Sequence, residues 1–275
     1  MRVDAHQHFW RIADRGGAWP PPALAAIHRD FAPGDLAPLL ARHGIARTVL
    51  VQSMPNQDDT RYMLDLASRH AFIGGVVGWA DLKGADAPAR IAALARDPLL
   101  KGLRPMLQDE GDERWIDDAA LAPAADAMQR HGLSFDALVL PRHLAALLAF
   151  AQRHPGLPIV IDHGAKPAIA AGELEPWRRD IAALARLPQV YSKLSGLVTE
   201  AGAAWNVEQL RPYADHIVQS FGPRRVIWGS DWPVLHLAAD YARWIAASES
   251  LLAGLDGGAR DDIFGLNAVR FYRID

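Results

Sequence analysis

The sequence contains no cysteine. This absence excludes disulfide bonds, thiolate metal sites and a cysteine nucleophile. The chain also lacks a strong excess of one charge, since its formal net charge is -3, so we expect neither a nucleic acid nor an anionic membrane surface as its partner. No apolar targeting segment follows Met1 and no apolar run approaches the length of a membrane span, so we expect a cytosolic protein.

Apolar residues make up 50% of the 275-residue chain, which is enough to bury a large core. This length fits two small domains or one α/β barrel, so length alone does not decide the number of domains. The chain has no low-complexity linker and no compositional break. We therefore expect a single domain over residues 1–275.

Eight short β-rich segments alternate with segments whose apolar residues recur at helical spacing, as in Pro88–Arg96 and Arg142–Arg153. The distance between their starts is close to the length of one strand, loop and helix in a βαβ unit. This alternation predicts an α/β fold, the (β/α)8 TIM barrel. An open doubly wound sheet is the alternative, but no GxGxxG motif follows the first segment. The predicted strands are Val3–His8, Arg47–Ser53, Phe72–Trp79, Gly102–Leu107, Leu133–Leu138, Pro158–His163, Val190–Ser195 and Arg225–Ser230.

The connection after the first predicted strand, from Phe9 to about Pro33, is long and irregular. In a barrel the chemistry lies on the loops that follow the strands, so this connection could close over a pocket. It could instead be a surface excursion that is packed by its own prolines and tryptophans. Both interpretations stay open.

Histidine and carboxylate side chains collect at the ends of predicted strands. His6 and His8 close the first strand, and residues two apart on a strand point the same way, so we expect them to share one side with Asp4. Asp231 follows the eighth strand, which neighbours the first in a closed barrel, and His163 ends the sixth. Paired imidazoles bind a metal or hydrogen-bond a substrate, and a carboxylate beside them is a candidate general base or metal ligand.

Other polar residues also lie at predicted strand ends. Arg104 interrupts an apolar run, and an interior guanidinium needs an anionic or carbonyl partner. Lys193 points to the mouth of the barrel or extends its stem along apolar surface, and Asp136 is either a site residue or bonded to a loop backbone. The remaining strand-end residues of this kind are Gln52, Gln108, Lys166 and Ser195.

A series of short motifs follows the predicted strands in order. They read DAHQHFW, VQ, GVVGWADL, KGLRP, SFD, IDHGAKP, SKLSG and GSDWP, before the closing Asn267–Tyr272. Together they resemble the amidohydrolase superfamily, in the branch of metal-dependent-hydrolase-like TIM-barrel proteins that includes sugar-lactone and dicarboxylate-lactone hydrolases. The resemblance covers nearly the whole chain.

The resemblance implies an active-site mouth built from His6, His8, His163 and Asp231. Binuclear members of the superfamily carry a bridging Lys or Glu on strand four and a His on strand five. This chain has Arg104 and an aspartate at those places, so we do not expect a two-metal centre. One divalent ion, with Zn²⁺ first among the candidates, on His6, His8 and Asp231 is one expectation, and catalysis without metal is the other, because members of both kinds are known.

The activity implied is the hydrolysis of a sugar-derived lactone, such as L-fucono- or L-rhamnono-lactone, to the aldonic acid. Asp231 would activate water as the general base, and His163 and Arg104 would act on the carbonyl oxygen. A neutral sugar lactone needs mixed hydrogen-bonding groups and an aromatic face rather than a cluster of arginines. We therefore assign substrate binding to Gln52, Trp79, Gln108, Lys166, Lys193 and Trp10.

Other functions stay open. One is a dicarboxylate lactonase or a metal-dependent decarboxylase of the same superfamily, although the missing strand-five histidine argues against the decarboxylase. A catalytically silent barrel that binds a sugar or a protein is another, although such a barrel has no need of a base beside three imidazoles. Serine catalysis is disfavoured because the GxSxG motif is absent.

Overall fold

Eight parallel strands, β1 to β8, pair with their neighbours in chain order and form one sheet. The structure is a computed structural model that describes residues 1–274. Each predicted strand is present at its predicted place in the chain. The strands are β1 Arg2–Gln7, β2 Ile45–Val51, β3 Ile73–Gly78, β4 Leu100–Leu103, β5 Ser134–Ala137, β6 Ile159–Ile161, β7 Val190–Leu194 and β8 Val226–Trp228.

The first and last strands meet just beyond the end of β8. Asp231 N donates to His6 O at 2.8 Å, and His8 N donates to Trp232 O at 2.8 Å. These two bonds join β8 to β1 at the carboxyl edge of the sheet. The predicted (β/α)8 barrel is therefore confirmed.

Helices follow the strands and cover the outside of the sheet, as βαβ connections require. Both amphipathic segments named from the sequence are helical, with small shifts of their ends. No helix within residues 1–274 combines the length and the apolar character needed to cross a bilayer. The helices are α1 Pro33–His43, α2 Gln57–Arg69, α3 Ala87–Leu94, α4 Ala122–Arg130, α5 Leu144–Arg153, α6 Trp177–Ala185, α7 Leu197–Ala201, α8 Val207–Phe221, α9 Tyr241–Leu251, α10 Gly257–Asp261 and α11 Asn267–Tyr272.

Two apolar layers result from strands that are buried on both faces. The larger layer lies between the sheet and the helices, and it includes Trp228 of β8. The smaller layer fills the inside of the barrel with branched side chains and is completed by residues of α11. Its main members are Val3, Val49, Val51, Val77, Val160, Ile227, Phe271 and Tyr272.

Most of the predicted strands run too far at their carboxyl ends, and the reason lies in the loops that build the site. The predicted strand Pro158–His163 ends at Ile161, because a tight turn begins at Asp162. The predicted strand Gly102–Leu107 ends at Leu103, two residues before a proline, which has no N–H for the ladder. Regular strand structure therefore ends early, and the loops that follow orient their side chains towards the site.

Candidate active site

A cavity of about 440 Å³ opens where the carboxyl ends of the strands meet. Loops from several strands converge at this end of a TIM barrel, and the volume suits a small ligand. The lining comes from the loops after six strands, β1, β2, β4, β5, β6 and β8. Its residues are His8, Ala18, Trp19, Ser53, Met54, Pro55, Arg104, Met106, Gln108, Asp109, Leu138, His163, Lys166, Asp231 and Val234.

Three imidazoles converge on one carboxylate oxygen at the floor of this cavity. Asp231 Oδ1 lies 3.2 Å from His8 Nε2, 3.7 Å from His6 Nε2 and 3.9 Å from His163 Nε2. All four side chains are at least nine-tenths buried. The structure thus brings together the four residues that the motifs singled out for the mouth of the barrel.

An irregularity in β1 aims the first histidine at the cavity. Asp4 pairs with Thr48 whereas Gln7 pairs with Leu50, so β1 has one residue more than β2 over this stretch. A bulge of this kind changes the side on which the following side chains emerge. His6 therefore points into the barrel, and the prediction that Asp4 shares its side is wrong.

Asp4 instead holds the loop that carries Asp231. Ser230 donates to the Asp4 carboxylate twice, from its N at 2.8 Å and from its Oγ at 2.6 Å. Tyr241 of α9 donates a third bond at 3.0 Å. Asp231 itself has φ 59°, in the left-handed region that side chains disfavour. These bonds to the preceding residue stabilise the backbone that presents the Asp231 carboxylate.

Hydrogen bonds on the far ring nitrogens orient two of the imidazoles. His8 Nδ1 lies 2.7 Å from Val51 O, and a carbonyl only accepts, so His8 Nδ1 carries the hydrogen. In the neutral ring His8 Nε2 then turns a lone pair towards Asp231 Oδ1, which is also an acceptor. A proton or a cation between these two atoms would satisfy both. His163 Nδ1 is bonded to Ser195 Oγ at 2.9 Å, which leaves its Nε2 for the cavity.

The electrostatics of the floor keep the Asp231 carboxylate charged and the His6 and His163 imidazoles neutral. Burial raises the pKa of Asp231, but His163, His8 and His6 reverse this effect and hold that pKa below its ordinary value. Burial lowers the pKa of His163 to about 4, against the opposing charges of Asp231 and Asp162. Burial also lowers the pKa of His6 well below 6.5. An ionised base beside a neutral His6 and a neutral His163 is the state expected at neutral pH.

A buried ion-pair cluster supports the floor from beneath. Lys193 Nζ lies 2.8 Å from Asp136 Oδ2, 3.0 Å from Asp162 Oδ1 and 3.2 Å from His6 Nδ1. Tyr272 of α11 donates to Asp136 Oδ2 at 2.5 Å. Lys193 is fully buried and does not line the cavity, because both carboxylates draw its ammonium below the floor. Its predicted contact with substrate is therefore corrected to support of His6.

Arg104 lines the cavity but is held by protein groups. Its Nη1 donates to Asp162 Oδ2 at 3.1 Å and lies 3.3 Å from His6 Nε2, while its Nη2 donates to Gln52 O. Its Nε has no hydrogen-bond partner in the described part of the chain. Gln52 is buried, donates to Arg104 O at 2.7 Å and is absent from the cavity lining, so it braces Arg104 rather than contacting substrate.

The other predicted substrate-binding residues fall into two groups. Gln108 and Lys166 line the cavity, and Lys166 Nζ donates to Gln108 Oε1 at 2.7 Å. Trp10 is fully buried outside the lining, because its ring packs 5.0 Å from the ring of Trp19. Trp79 is half-buried and lies outside the lining as well. Trp19, which the sequence also places near the rim, is the tryptophan that lines the cavity.

The long first connection is both packed and part of the site. Ala18 and Trp19 line the cavity. Arg15 is buried beneath them and donates to Ser53 Oγ at 2.7 Å and to Asp59 Oδ1 at 3.3 Å. These bonds tie the first connection to the loop after β2, so the two open interpretations of this segment both hold in part.

Comparison with known proteins agrees with this architecture. The sequence profile of the family described as Amidohydrolase matches residues 3–274. The chain belongs to the amidohydrolase family. It is 58% identical to an L-fucono-1,5-lactonase of Burkholderia ambifaria over 279 residues, which cover 100% of this chain and 96% of the relative. It is 36% identical to an L-fucono-1,5-lactonase of Burkholderia multivorans, again over 100% of this chain and 96% of the relative.

Solved structures in the amidohydrolase family share the same barrel. A crystal structure of an amidohydrolase from Burkholderia multivorans with bound Zn superposes with a TM-score of 0.93 at 36% identity, and 100% of both chains is covered. The family resemblance seen in the motifs is thus confirmed.

The donors at the floor of this amidohydrolase barrel fit one divalent metal ion. His6, His163 and Asp231 each offer one ligand atom, and these atoms lie within 4.8 Å of one another. His8 adds a fourth donor atom, a nitrogen whose lone pair already faces Asp231. Three imidazoles and a carboxylate, without thiolates, are a donor set that Zn²⁺ accepts.

The sequence analysis missed several residues of the site. Asp162, which pairs with Arg104 and Lys193, directly precedes His163, and strand alternation would place neighbours on opposite sides. The apolar part of the lining was also missed, because isolated methionines and leucines in loops carry no periodic signal. These residues are Met54, Met106, Leu138 and Val234.

The pKa of His163 predicts the acidic side of the pH profile. As the pH falls from about 7 to about 5, we expect kcat/KM to stay level, because His163 remains neutral and Asp231 remains ionised. Activity should fall only near pH 4. The measurement is kcat/KM across this range on the best lactone, with circular dichroism at each pH to show that the chain stays folded. A midpoint near pH 6.5, the ordinary value for histidine, would contradict the assignment.

Proposed function

We propose that this protein hydrolyses a neutral sugar-derived lactone of the L-fuconolactone kind to its aldonic acid. The observation that carries the proposal is the ionised Asp231 carboxylate among three imidazoles at the floor of the cavity. The two L-fucono-1,5-lactonases at 58% and 36% identity support the same substrate class. A place in carbohydrate metabolism and the cytosolic location expected from the sequence belong to this proposal.

Asp231 is the general base in this proposal. Its carboxylate accepts a proton from water while the water oxygen attacks the lactone carbonyl carbon. When the tetrahedral intermediate collapses, the bond between that carbon and the ring oxygen breaks, and Asp231 returns the proton to the ring oxygen as it leaves. The carboxylate ends the cycle ionised, the state that the surrounding imidazoles favour.

The groups beside Asp231 bind the carbonyl oxygen as it gains negative charge. His163 and Arg104 both line the cavity, and the Arg104 guanidinium is fixed in advance by Asp162. A donor that is already oriented needs no reorganisation during the reaction, which is the main source of this kind of stabilisation.

One divalent ion is part of the proposal, with Zn²⁺ as its identity. His6, His8 and Asp231 would hold it, which leaves His163 Nε2 for the carbonyl oxygen. When bound, such an ion supplies Lewis-acid polarisation of the carbonyl and lowers the pKa of water. The solved amidohydrolase with bound Zn supports this part of the proposal.

The lining favours a neutral substrate over a carboxylated one. Both terminal nitrogens of Arg104 already donate to protein acceptors and its Nε is buried, so few of its N–H groups are open to the two-pronged contact that a carboxylate prefers. Lys166 is the other cationic residue of the lining, and its ammonium is bonded to Gln108. Much of the remaining lining is apolar, which suits the methyl end of a 6-deoxy sugar lactone, the chemistry of both L-fucono- and L-rhamnono-lactone.

A panel of lactones tests the substrate class. We expect the purified protein to release acid from L-fuconolactone with a kcat/KM at least tenfold higher than from a dicarboxylate lactone, because the cavity lacks a free bidentate cation. The measurement is a pH-indicator assay, run with and without a chelator. Efficient hydrolysis of the carboxylated lactone alone would overturn the neutral-substrate assignment, and no hydrolysis of any lactone would favour a silent binding barrel.

Substitution of the base tests the mechanism. We expect Asp231→Asn to lower kcat by at least about two orders of magnitude, because an amide cannot accept the proton of water. Asp65→Asn, on the exposed surface of α2, is the matched control and should retain full turnover. Near wild-type turnover by folded Asp231→Asn protein would contradict the role of Asp231 as the general base.

The metal content is also predictable. We expect one divalent ion per chain, bound with an affinity that drops at least about tenfold in His8→Gln, since that change removes one nitrogen donor. Elemental analysis of the purified protein and titration with Zn²⁺ of the metal-free protein measure both quantities. Two tightly held ions per chain would contradict the expectation of a single-metal site.

A further inference from the structure

Four consecutive residues after β6 have left-handed backbone. The φ angles are 54° at His163, 57° at Gly164, 65° at Ala165 and 50° at Lys166. Residues with a side chain rarely adopt this conformation, and three of these four have one. Lys166 N donates to His163 O at 2.9 Å and closes the segment into a single left-handed turn.

The tightness of this turn decides which side chains reach the cavity. With hydrogen bonds between residues three apart, the first and fourth side chains lie on the same side. His163 and Lys166 accordingly both line the cavity, whereas Gly164 and Ala165 are buried away from it. An extended segment of the same length would separate the two functional side chains.

Close packing surrounds the turn on two sides. A Cβ on Gly164 would lie 2.6 Å from Ile217 Cδ1, and a Cβ on Gly196 would lie 2.5 Å from His163 Nδ1. The second distance means that the His163 ring lies directly against the backbone of the loop after β7. The ring therefore has little room to move unless the turn itself changes.

The indole of Trp177 holds the turn from the helix layer. Its Nε1 donates to Gly164 O at 2.6 Å, and the Trp177 side chain, on α6, is buried. Trp177 does not line the cavity. Without the indole this buried carbonyl would lose a partner, and rotation of its peptide out of the left-handed conformation would be the way to find another.

We propose that Trp177 is a positioning residue that keeps the left-handed turn in place and thereby holds His163 and Lys166 at the cavity. The effect on turnover rests on the proposed function, in which His163 acts on the lactone carbonyl. The effect on the conformation of the turn does not depend on that function.

The test compares two buried tryptophans with the same kind of bond. Trp177→Phe removes the donor to Gly164 O but keeps an aromatic ring. Trp205→Phe is the control, because Trp205 is also buried and its Nε1 donates to a loop carbonyl, Ala238 O, at 2.9 Å. Crystal structures, melting temperatures and kcat are measured for both variants.

We expect Trp177→Phe to move His163 out of the left-handed region and to lower kcat about tenfold, an effect of the size of one hydrogen bond. Trp205→Phe should keep both the turn and the turnover. In a His163→Asn background, Trp177→Phe should change kcat less than about twofold, because its effect acts through His163. A loss of stability alone would not produce this dependence on His163.

A second variant keeps the proposal testable if Trp177→Phe folds poorly. Ala165→Gly removes the side chain that opposes the left-handed conformation, so combined with Trp177→Phe it should restore at least about half of the lost turnover. An unchanged turn in the crystal structure of Trp177→Phe, or a tenfold loss that persists in His163→Asn, would overturn the proposal. A wild-type protein without lactonase activity would overturn the proposed function, while the crystal structures would still decide the role of Trp177.

Discussion

The hydrogen bond from Asp231 N to His6 O, at 2.8 Å, is the constraint on which the site depends. It joins the segment after β8 to β1, so Asp231 must lie beside His6 near the carboxyl end of β1. The bulge in β1 then decides that His6 faces the inside, where Asp231 also points. The contacts that close the barrel therefore also bring Asp231 next to the imidazole of His6.

Beneath the floor the buried charges compensate one another. The cations of Lys193 and Arg104 face the carboxylates of Asp136 and Asp162 at 2.8 to 3.1 Å, so this cluster holds two positive and two negative groups. Buried charges of this kind are tolerated only when paired. Asp231 lies outside the pairing, with imidazoles as its neighbours, and it is therefore the carboxylate free to exchange a proton with a substrate.

The sequence predicted the barrel and the four residues of its floor because both rest on regular features. Alternating strands and helices set the topology, and parallel strands bring their carboxyl ends to one edge. How deeply individual side chains are buried, and where a strand is irregular, could not be predicted from the sequence. Lys193 points inward as a strand residue can, but the carboxylates that hold it below the floor come from two other strands. Trp10 and Trp79 follow strand ends, where alternation no longer fixes a direction, and the bulge reversed the side expected for Asp4.

Two of the residues proposed to act on the substrate, His163 and Asp231, have left-handed backbone. Each such residue costs about 1 kcal/mol or more relative to a relaxed conformation, although aspartate tolerates it better than most. The cost is met by buried hydrogen bonds on adjacent backbone groups: Trp177 Nε1 donates to Gly164 O, and Ser230 N donates to the Asp4 carboxylate. Strain concentrated at a site in this way persists only where the surrounding structure enforces it. The layer of packing behind the floor is therefore as much a requirement for this chemistry as the residues that line the cavity.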